Sequence, residues 1–522
     1  MNYNPKKYVL IQARTDSSRL FGKCIFYIRN KELILLLHDR IKSKNYKTVI
    51  LTSNKKSDDH LSNILKKNKI NYYRGNLNNV RNRFIDFTSN LHKEDILVRC
   101  TADNLFVDKY IINDLINKFI RSNKKYLKID RKKSLLPYGM SVEVFTVGAL
   151  RETKPKNKLD FEHVTPPLIR DTKNVENTTL NLNTNLFNKS CTIDTLYDYF
   201  KIKYIFENFN NNVKTKWSKL CKDLSKINKK KIEKKIIQKL DKIIIGTAQF
   251  GFQYGINNQM KKISENEIFN ILNFAKTNYI NFIDTAEGYK KSEKRIGKYL
   301  NNNKNKFKVM TKIKFENSER FKTSLKKLGL NKLFALFIHN PSQIRNNFDF
   351  LKLKNEFIKF KTKLNYFGAS LNLPNEYWFL KKFDFFKIFQ IPYNILDYRW
   401  NEILKKKKKS VKIYARSIFL QGLLITEKKN CPYKLRKEFD TIKKKISFLK
   451  NKLNRFDEKD LLFNYVNHNK SINKIIIGIE NETQIQQLPF YLLRKKFTSK
   501  EIRLIKKTIP KVSTKFITPT NW

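Results

Sequence analysis

The chain has 522 residues, of which 40% are hydrophobic and 13% aromatic, so it can build real cores and global disorder is excluded. Its length calls for two or three domains. The chain contains 109 Lys and Arg residues and 46 Asp and Glu residues, which gives a formal net charge of +63. Such a charge suits a nucleic-acid or an anionic-membrane partner. The Lys residues, however, are spread over the whole chain and no compact nucleic-acid motif occurs, so we favour solvated faces and no nucleic-acid partner.

The cysteines and the apolar segments indicate the compartment. The five cysteines have neither paired nor metal-like spacing, which is typical of a reducing cytoplasm. The polar residues 1–7 lack the apolar segment of a secretory signal. Apolar runs such as Leu33–Leu37 are far too short to span a bilayer. We therefore expect a cytoplasmic protein without membrane insertion, and the oligomeric state stays open.

Short apolar runs alternate with helical patterns from residue 8 onward, which predicts an α/β fold. The strands predicted in the first part are Tyr8–Gln12, Thr48–Thr52, Ile96–Cys100, Val142–Phe145 and Ser190–Ile193. The helices predicted there are Leu33–Lys42 and Asp58–Lys67. We assign these elements to a first domain, residues 1–210.

A change in composition separates this domain from the next. Residues 226–242 are almost all Lys, Ile, Asn and Glu, without Gly or Pro. Such a stretch is either a charged linker or an amphipathic surface helix. In both cases we place the boundary here, with a Lys-rich linker at residues 211–241.

The alternation restarts after residue 241 and is more regular. Strand-like runs are predicted at Lys242–Gly246, Ile280–Asp284, Lys308–Lys312, Leu333–His339, Leu364–Ser370, Phe386–Ile391, Val411–Ala415 and Lys474–Gly478. Helical patterns separate them, for example Glu265–Thr277, Ser292–Leu300 and Gln343–Lys361. Eight strands with interposed helices over about 280 residues are typical of a (β/α)8 TIM barrel, which we predict for residues 242–522.

Four polar residues follow successive predicted strands of this barrel, where catalytic groups of such barrels lie. Asp284 ends the second strand, with Tyr289 shortly after it, while Lys312 and His339 end the third and fourth. Each alone has a plain structural explanation, such as helix capping or packing, but four in register favour a catalytic set. The phenol of Tyr has a pKa of about 10. A neighbouring ammonium held by a carboxylate lowers this pKa toward neutral pH, where the phenol is a more effective acid. A His beside the substrate oxygen can orient the substrate.

With these residues in place, residues 242–488 resemble the aldo/keto reductase family. The matching stretches are Ile245–Gly251, Asp284–Tyr289, Ser292–Lys294, Ile296–Gly297, Thr311–Lys312, Ile338–Pro341, Gly368–Ser370, Gln390 and Pro392–Asn394. The resemblance implies that Tyr289 is the proton donor and that Lys312 and Asp284 tune it. It implies that His339 orients the substrate. It also implies NAD(P)H bound without a Rossmann domain, in contact with Ser370, Gln390, Arg416, Ser417, Gly478 and Asn481.

Two positions depart from the family pattern. Arg416 stands where many relatives stack a Tyr on the nicotinamide; a guanidinium plane can also stack. Glu480 stands where NADP-preferring relatives often have a basic residue, and its carboxylate would repel a 2′-phosphate. The choice between NADH and NADPH therefore stays open, as does the direction of the reaction.

The loop after the first predicted strand, residues 11–23, contains Arg14, Arg19 and Lys23. Backbone amides and cationic side chains in a strand-to-helix loop can form a phosphate cradle. The loop resembles that of the cytidylyltransferases that make CMP-sugars, especially the spore-coat polysaccharide type. Further matching stretches between residues 8 and 208 are Thr52–Asn54, Arg74–Asn76, Asn79–Val80, Arg83, Val98–Asn104, Gly139, Val142–Phe145, Glu162–Pro166 and Thr192–Thr195.

This second resemblance implies that the hydroxyl of an acidic sugar attacks the α-phosphate of CTP and that pyrophosphate leaves. Such chemistry depends on positioning and on neutralising the phosphates. The nucleotide-binding residues that it implies are Arg14, Ser17, Arg19, Lys23, Ser53 and Arg74. It implies that Asp103 holds Mg²⁺.

The first domain also departs from its family. Asp16 replaces the usual Gly, and Phe21 replaces the usual Pro; Asp16 adds a negative charge beside the triphosphate and lacks the freedom of Gly. Tyr138 and Ser141 replace acidic residues that are common in relatives. If one of those supplied a second carboxylate to the metal, Glu143 is the candidate replacement.

Taken together, these patterns predict a bifunctional enzyme of surface-polysaccharide sugar metabolism. The first domain would activate an acidic sugar with CTP, and the second would reduce or oxidise a carbonyl-bearing sugar intermediate. One alternative is an active reductase whose first domain binds a nucleotide without chemistry. Another is a basic protein that associates with nucleic acid and uses both folds as scaffolds.

Overall fold

The computed structural model describes residues 3–170, 172–256, 263–303, 307–314, 319–519 and 522. The chain divides into two compact units, a first unit, Met1–Ile236, and a second unit, Ile237–Trp522. Among the described residues, no helix combines the length and the apolar character needed to cross a membrane.

The first unit is built around one mixed sheet. The strands of the unit are β1 (Lys7–Gln12), β2 (Tyr27–Ile28), β3 (Lys31–Glu32), β4 (Lys47–Ser53), β5 (Tyr72–Gly75), β6 (Ile96–Thr101), β7 (Tyr126–Ile129), β8 (Glu143–Thr146) and β9 (Val175–Thr178), of which β2 and β3 form an antiparallel pair outside the large sheet. Its helices are α1 (Leu33–Ile41), α2 (Asp59–Lys67), α3 (Val80–Thr88), α4 (Lys109–Ser122), α5 (Val147–Glu152), α6 (Lys158–His163), α7 (Pro166–Ile169), α8 (Leu196–Asn208) and α9 (Trp217–Ser225). The helix α10 (Lys229–Leu240) contains the boundary between the units.

The described strands of the large sheet follow the order β5-β4-β1-β6-β8-β7-β9. The central strand β1 pairs in parallel with β4 and with β6. Its apolar run Val9–Ile11 is buried on both faces, as expected when helices cover both sides of a parallel sheet. The carboxyl ends of β1, β4 and β6 therefore meet at one edge, which carries the loops at residues 13–23, 54–58 and 102–108.

The structure corrects one predicted strand of this unit. Ser190–Ile193 is not a strand; Ser190 forms only an isolated bridge with Tyr138. The amide of Cys191 donates to the Tyr138 carbonyl at 2.8 Å and that of Ile193 to the Asp103 carbonyl at 3.2 Å, so this segment pairs with loops. The other predicted strands and helices of the unit are present. The stretch at residues 226–242, predicted as a linker or a surface helix, forms α10.

The second unit alternates strands and helices. Its strands are β10 (Ile243–Gly246), β11 (Phe282–Asp284), β12 (Lys308–Ile313), β13 (Leu333–Ile338), β14 (Leu364–Ser370), β15 (Ile388–Pro392), β16 (Lys412–Arg416) and β17 (Lys474–Gly478). Its helices are α11 (Ala248–Gly251), α12 (Glu265–Thr277), α13 (Ser292–Asn303), α14 (Glu319–Leu328), α15 (Asn347–Ile358), α16 (Pro374–Leu380), α17 (Asn401–Lys406), α18 (Arg436–Lys452), α19 (Glu458–His468), α20 (Glu482–Leu493) and α21 (Ser499–Thr508).

The strands of this unit close into the predicted (β/α)8 barrel. Every neighbouring pair from β10 to β17 is parallel, and β17 returns to pair with β10. Side chains including Ile244, Met310, Phe337 and Tyr414 form one buried core cluster. Because the barrel is closed and parallel, the carboxyl ends of all its strands meet at one rim.

Candidate functional site

The polar cluster of the barrel lies at the carboxyl ends of β11 and β12. Lys312 Nζ donates to Asp284 Oδ2 at 2.5 Å and to the Thr285 carbonyl at 3.0 Å. It also lies 3.5 Å from the hydroxyl oxygen of Tyr289. The other carboxylate oxygen of Asp284 accepts the side-chain amide of Gln390, from β15, at 2.6 Å. The carboxylate is therefore held on both sides, and the ammonium lies beside the phenol.

Tyr289 lies in the turn between β11 and α13, and close contacts fix its backbone. Its carbonyl accepts the amide of Ser292 at 3.0 Å, and a Cβ atom added at Gly251 would lie only 1.7 Å from that carbonyl oxygen. Only glycine leaves room for this approach. The ring of Tyr289 meets that of His339 edge-on, with centroids 5.9 Å apart and planes at 85°. His339 directly follows β13, so the four predicted residues come together at one rim.

The environment sets the charge states of two of these groups. Burial lowers the pKa of Lys312, but Asp284 and then Tyr289 outweigh it, so the pKa is raised and the ammonium persists. Burial, followed by nearby cationic side chains, lowers the pKa of His339 to about 3. The imidazole is therefore neutral near pH 7 and can donate one N–H to a substrate oxygen.

A cleft of about 750 Å³ opens at this rim. Its volume lies within the range of roughly 300–1,000 Å³ that small-molecule and cofactor sites occupy. The cleft extends from the polar cluster to the segment that joins β17 to α20. Residues that line its far end are Gly478, Glu480, Gln484, Leu488 and Tyr491.

The predicted cofactor contacts fall into two groups. Ser370, Arg416, Ser417 and Gly478 line the cleft. The other two do not line it and bond to protein groups instead. Gln390 holds Asp284, as described above, and Asn481 caps α20 by accepting the amide of Gln484 at 2.9 Å.

The loop after β16 has an unusual backbone. Ser417, Leu420 and Gln421 adopt left-handed φ angles of 57°, 49° and 51°. Each such residue costs about 1–3 kcal/mol, and such strain concentrates at ligand sites. Ser417 and Gln421 line the cleft. Gln249 also lines the cleft, and its Oε1 is buried and meets no hydrogen-bond donor among the described residues, so a bound ligand could satisfy it.

Arg416 and Glu480, the two departures from the family pattern, both line the cleft, where the neighbouring strands β16 and β17 end. Arg416 Nη2 donates to the Leu371 carbonyl at 2.8 Å and to Asn372 Oδ1 at 2.6 Å, both just after β14. Glu480 lies beside Gln484, whose side-chain oxygen accepts the Glu480 amide at 3.0 Å. Burial raises the pKa of Glu480.

In the first unit, the predicted phosphate loop and the predicted metal ligand meet at the sheet edge. Lys23 Nζ donates to Asp103 Oδ2 at 2.6 Å, to Asp194 Oδ1 at 3.0 Å and to the Ile193 carbonyl at 2.9 Å. Arg19 pairs with Asp194 at 2.9 Å. Burial raises the pKa of Asp103, but Lys23 outweighs it and the pKa is lowered. The residue that sequence reasoning missed here is Asp194, although it lies in a matching stretch, Thr192–Thr195.

The other predicted nucleotide-binding side chains do not converge on this point. Ser53 is buried and donates its hydroxyl to Asp58. Arg74 donates to the Ser53 carbonyl at 2.9 Å and pairs with Asp59 at 2.9 Å. Arg14 lies 3.9 Å from Glu162, and the amide of Ser17 donates to the Thr15 carbonyl at 3.0 Å. These contacts brace the loops in the described conformation. Among the departures from the family pattern, Asp16 and Tyr138 are exposed.

The carboxylate of Glu143 is not available as a replacement metal ligand. It accepts from Arg99 at 2.5 Å, from Tyr126 at 2.6 Å and from Thr165 at 2.8 Å. Ser141 accepts the side-chain amide of Asn104 at 3.3 Å. Instead of Glu143, Asp194 supplies the second carboxylate near Asp103, because Lys23 donates to both of these aspartates. Among the described residues, no group of three or more His, Cys, Asp or Glu is arranged to hold a metal ion.

Comparison with known proteins matches a different family to each part of the chain. The cytidylyltransferase family model matches residues 8–239, and the aldo/keto reductase family model matches residues 242–510. The chain is 32% identical over 161 residues to an uncharacterized protein of Methanocaldococcus jannaschii, which covers 30% of this chain and 64% of that protein. It is 28% identical over 165 residues to the spore coat polysaccharide biosynthesis protein SpsF of Bacillus subtilis, which covers 30% of this chain and 67% of SpsF.

Solved structures resemble each unit. A cytidylyltransferase from Leptospira borgpetersenii serovar Hardjo-bovis is 25% identical, with a TM-score of 0.39, and the match covers 43% of this chain and 95% of that one. An aldo-keto reductase from Bacillus halodurans, in its holo form, is 19% identical, with a TM-score of 0.44, and the match covers 52% of this chain and 93% of that one.

Proposed function

The chain belongs to the aldo/keto reductase family through residues 242–510 and carries a cytidylyltransferase domain in residues 8–239, and from this premise we propose a bifunctional sugar enzyme. The barrel would transfer a hydride between NAD(P)H and the carbonyl of a sugar intermediate. The first unit would transfer a cytidylyl group from CTP to an acidic sugar. SpsF, a relative of the first unit, is a spore coat polysaccharide biosynthesis protein, which supports a place in surface-polysaccharide metabolism.

The observation that carries the reductase proposal is the contact chain from Asp284 through Lys312 to Tyr289. The phenol of Tyr289 donates its proton to the substrate oxygen as the carbonyl is reduced. The ammonium of Lys312 favours the phenolate that remains, and Asp284 fixes that ammonium. The neutral imidazole of His339 donates a hydrogen bond to the same oxygen.

The cleft residues fit a nicotinamide dinucleotide. Gln249 and the loop at residues 417–422 line the cleft, and Gln249 Oε1 is buried without a hydrogen-bond donor among the residues that the structure describes, which favours a ligand with polar edges. Ser370, Arg416, Ser417 and Gly478 would hold the cofactor, which supplies the hydride when bound. The segment at Glu480 and Gln484 would contact its far end.

The carboxylates of Asp103 and Asp194, with the Ile193 carbonyl, are the kind of oxygen donors that Mg²⁺ prefers. In the proposed cytidylyltransfer, Lys23 and Arg19 leave these carboxylates and bind the triphosphate. Asp103 and Asp194 would then hold Mg²⁺, which neutralises phosphate charge when bound. The arrangement positions the α-phosphate for attack by the sugar hydroxyl, and pyrophosphate departs.

A second candidate for the first unit is nucleotide binding without chemistry. It is favoured by the ion pairs that engage both Lys23 and Arg19, and by the exposed carboxylate at Asp16 in the phosphate loop. Mg²⁺-dependent release of pyrophosphate from CTP with a panel of sugar acids separates the two. Release with at least one acid supports the transferase, and CTP binding without release supports the second candidate.

For the barrel, the test is oxidation of NADH and of NADPH by the full chain with a panel of sugar aldehydes and ketones. Carbonyl-dependent oxidation is the expected result. Tight cofactor binding with no turnover of any carbonyl would contradict the proposed activity.

A further inference from the structure

A lysine stands at the first inward-facing position of four barrel strands. Side chains alternate along a strand, so residues two positions apart face the same side. In β12, Lys308 precedes Met310 of the buried core cluster and then Lys312 of the rim. The same spacing holds for three other lysines, two residues before core side chains at β10, β16 and β17. We call these four the base lysines: Lys242, Lys308, Lys412 and Lys474. They lie at the amino ends of the strands, opposite the rim that carries the polar cluster.

Three of these ammonium groups lie on one row of aromatic rings. The row consists of Phe282, Phe334 and Tyr366, with neighbouring ring centroids 5.0 and 5.2 Å apart. The Nζ atoms of Lys474 and Lys308 lie 3.7 and 5.0 Å from the centroid of Phe282. Lys412 Nζ lies 4.4 Å from the centroid of Tyr366. Such cation–π contacts hold the ammonium groups in place, close to one another.

Within the described ranges, only one carboxylate pairs with the base lysines. Asp241 Oδ2 lies 2.5 Å from Lys474 Nζ, and the other three lysines form no ion pair there. Lys412 Nζ donates to a neutral acceptor, the hydroxyl of Tyr366, at 3.3 Å. Each ammonium has three N–H donors, so donors are left for a further acceptor. Four cations therefore share one counter-charge.

The charge states of two base lysines reflect this imbalance. Burial and then Lys474 lower the pKa of Lys242 to about 8. Burial lowers the pKa of Lys474 as well; Asp241 raises it, Lys308 and Lys412 lower it, and the net change is a decrease. Like charges held together in this way disfavour the charged forms. An anion bound among them would offset the repulsion.

A buried hydroxyl at the base also lacks a partner. Tyr414 is fully buried, and its hydroxyl meets no hydrogen-bond partner among the described residues. Tyr414 is the next inward position after Lys412 on β16 and is paired in register with Lys474 on β17. Burial, followed by Asp241 and Tyr366, raises the pKa of its phenol, which places the hydroxyl toward the base. A buried donor without an acceptor is unfavourable, and an anion at the base would supply one.

We propose that the base of the barrel is a binding site for a phosphate group, held by Lys308, Lys412 and Lys474. The group is either a free anion or part of a nucleotide. Ammonium groups act as compact charges toward phosphate, and several of them around one site suit a tetrahedral anion with more than one negative charge. Because the site lies at the opposite end of the strands from the polar cluster, it stands independently of the proposed reductase function.

Calorimetric titration of the full chain with sodium phosphate, sodium pyrophosphate and UMP tests the proposal. The first unit is itself proposed to bind phosphates, so the base is assigned only the difference between wild type and Lys412→Gln. We expect the variant to bind at least one of the three about tenfold more weakly, since one charged hydrogen bond is lost. A difference with phosphate or pyrophosphate indicates a free anion, and a difference with UMP alone indicates a nucleotide.

Thermal unfolding separates a binding role of Lys412 from a structural one. In dilute chloride, Lys412→Gln should be no less stable than wild type, because it removes repulsion at the base. Phosphate should raise the midpoint temperature of wild type by about 3 °C over chloride of equal ionic strength, and that of the variant by clearly less. Lys308→Gln, at an exposed base lysine, should behave in the same way. Lys444→Gln, at an exposed lysine of α18, is the matched control and should respond to phosphate as wild type does.

Two results would overturn the proposal. One is equal affinity for all three anions in wild type, Lys308→Gln and Lys412→Gln. The other is an equal rise of the unfolding temperature in phosphate and in chloride of the same ionic strength, which would show that salt only screens the lysines.

Discussion

Both units hold a lysine against an aspartate at the carboxyl edge of parallel strands, but the two pairs are built differently. In the barrel, the Lys312 and Asp284 side chains are 1% and 3% exposed. One ammonium serves one carboxylate, and Gln390 occupies the remaining carboxylate oxygen. The pair is neutral as a whole and almost fully buried.

The corresponding cluster of the first unit is more exposed and is shared among more groups. The Lys23, Asp103 and Asp194 side chains are 14%, 16% and 15% exposed. Here one ammonium bonds to two carboxylates, and the exposed Arg19 pairs with one of them, Asp194. A buried pair can tune a neighbouring proton donor without exchanging partners, whereas a partly exposed cluster can release its cations and accept a metal ion. Under the proposed functions, similar residues would serve proton transfer in one unit and phosphate chemistry in the other, according to their burial and the number of partners they share.

The largest expected effect is the loss of carbonyl reduction in Tyr289→Phe, which removes the phenol beside the Lys312–Asp284 pair. Loss of the proton donor should reduce carbonyl reduction by about 10³-fold, since a general acid contributes roughly 10²–10⁴-fold. The ring and its contact with His339 remain, so NADH should bind nearly as before; fluorescence titration measures this. Tyr398→Phe, at a partly exposed tyrosine outside the cleft, is the control. Undiminished turnover in Tyr289→Phe would remove this residue from the mechanism.

The cluster of the first unit should respond to Asp194→Asn. The variant keeps the side-chain shape but removes one of the two carboxylates beside Lys23. We expect Mg²⁺-dependent pyrophosphate release to fall by about a hundredfold and the Mg²⁺ needed for half-maximal rate to rise, because a ligand of the ion is lost. Glu207→Gln, an exposed carboxylate on α8, is the matched control. An unchanged Mg²⁺ requirement would show that Asp194 does not hold the ion.

Because His339 is partly buried in the barrel site, the free energy of unfolding of the protein should depend on pH. Burial and the neighbouring cations lower the pKa of this side chain to about 3, so it is neutral in the folded protein. In the unfolded chain the imidazole binds a proton near its ordinary pKa of about 6.5. Stability therefore falls as the pH drops below that value, by about 2 kcal/mol between pH 7.5 and pH 5.

His339→Gln should remove this part of the pH dependence, and urea midpoints at the two pH values measure it. His163→Gln replaces an exposed histidine and should leave the pH dependence as it is. If the unfolding midpoints of wild type and His339→Gln changed equally with pH, the barrel site would not hold a neutral histidine.

The sequence predicted the barrel well because each of its strands is a short apolar run. Every predicted strand of residues 242–522 is present, with ends shifted by at most two residues. The strand predicted at Ser190–Ile193 was wrong because its apolar residues Cys191 and Ile193 are buried under loops and not in a sheet. The strands β2, β3, β5, β7 and β9 were not predicted; they are short and partly exposed, so their patterns are weak.

In the candidate sites, too, the sequence predicted features that depend on neighbouring residues better than contacts between distant ones. Strand-end positions are local, so the sequence pattern alone could place Asp284 and Lys312 at one rim. The contact between Lys23 and Asp194 joins residues 171 positions apart, and no local pattern reports it. The engagement of Ser53 by Asp58 is closer in sequence, yet it depends on how the loop after β4 folds back, which the residue types alone do not specify.

The smallest expected effect concerns the far end of the barrel cleft. Glu480 is only half-buried, and its carboxylate lies near Gln484 at the start of α20. Under the proposed binding mode, Glu480 disfavours a 2′-phosphate. Glu480→Lys should therefore shift the ratio of kcat/KM for NADPH over NADH upward by about tenfold, which corresponds to about 1.4 kcal/mol.

Glu482→Lys makes the same change of charge two residues away, at a position that does not line the cleft. Because the chain already carries a formal charge of +63, the added charge alone alters the overall field little, and only a local contact should change cofactor preference. Equal shifts in both variants would assign the preference to that field instead. A shift confined to Glu480→Lys would show that a single half-buried carboxylate selects the cofactor.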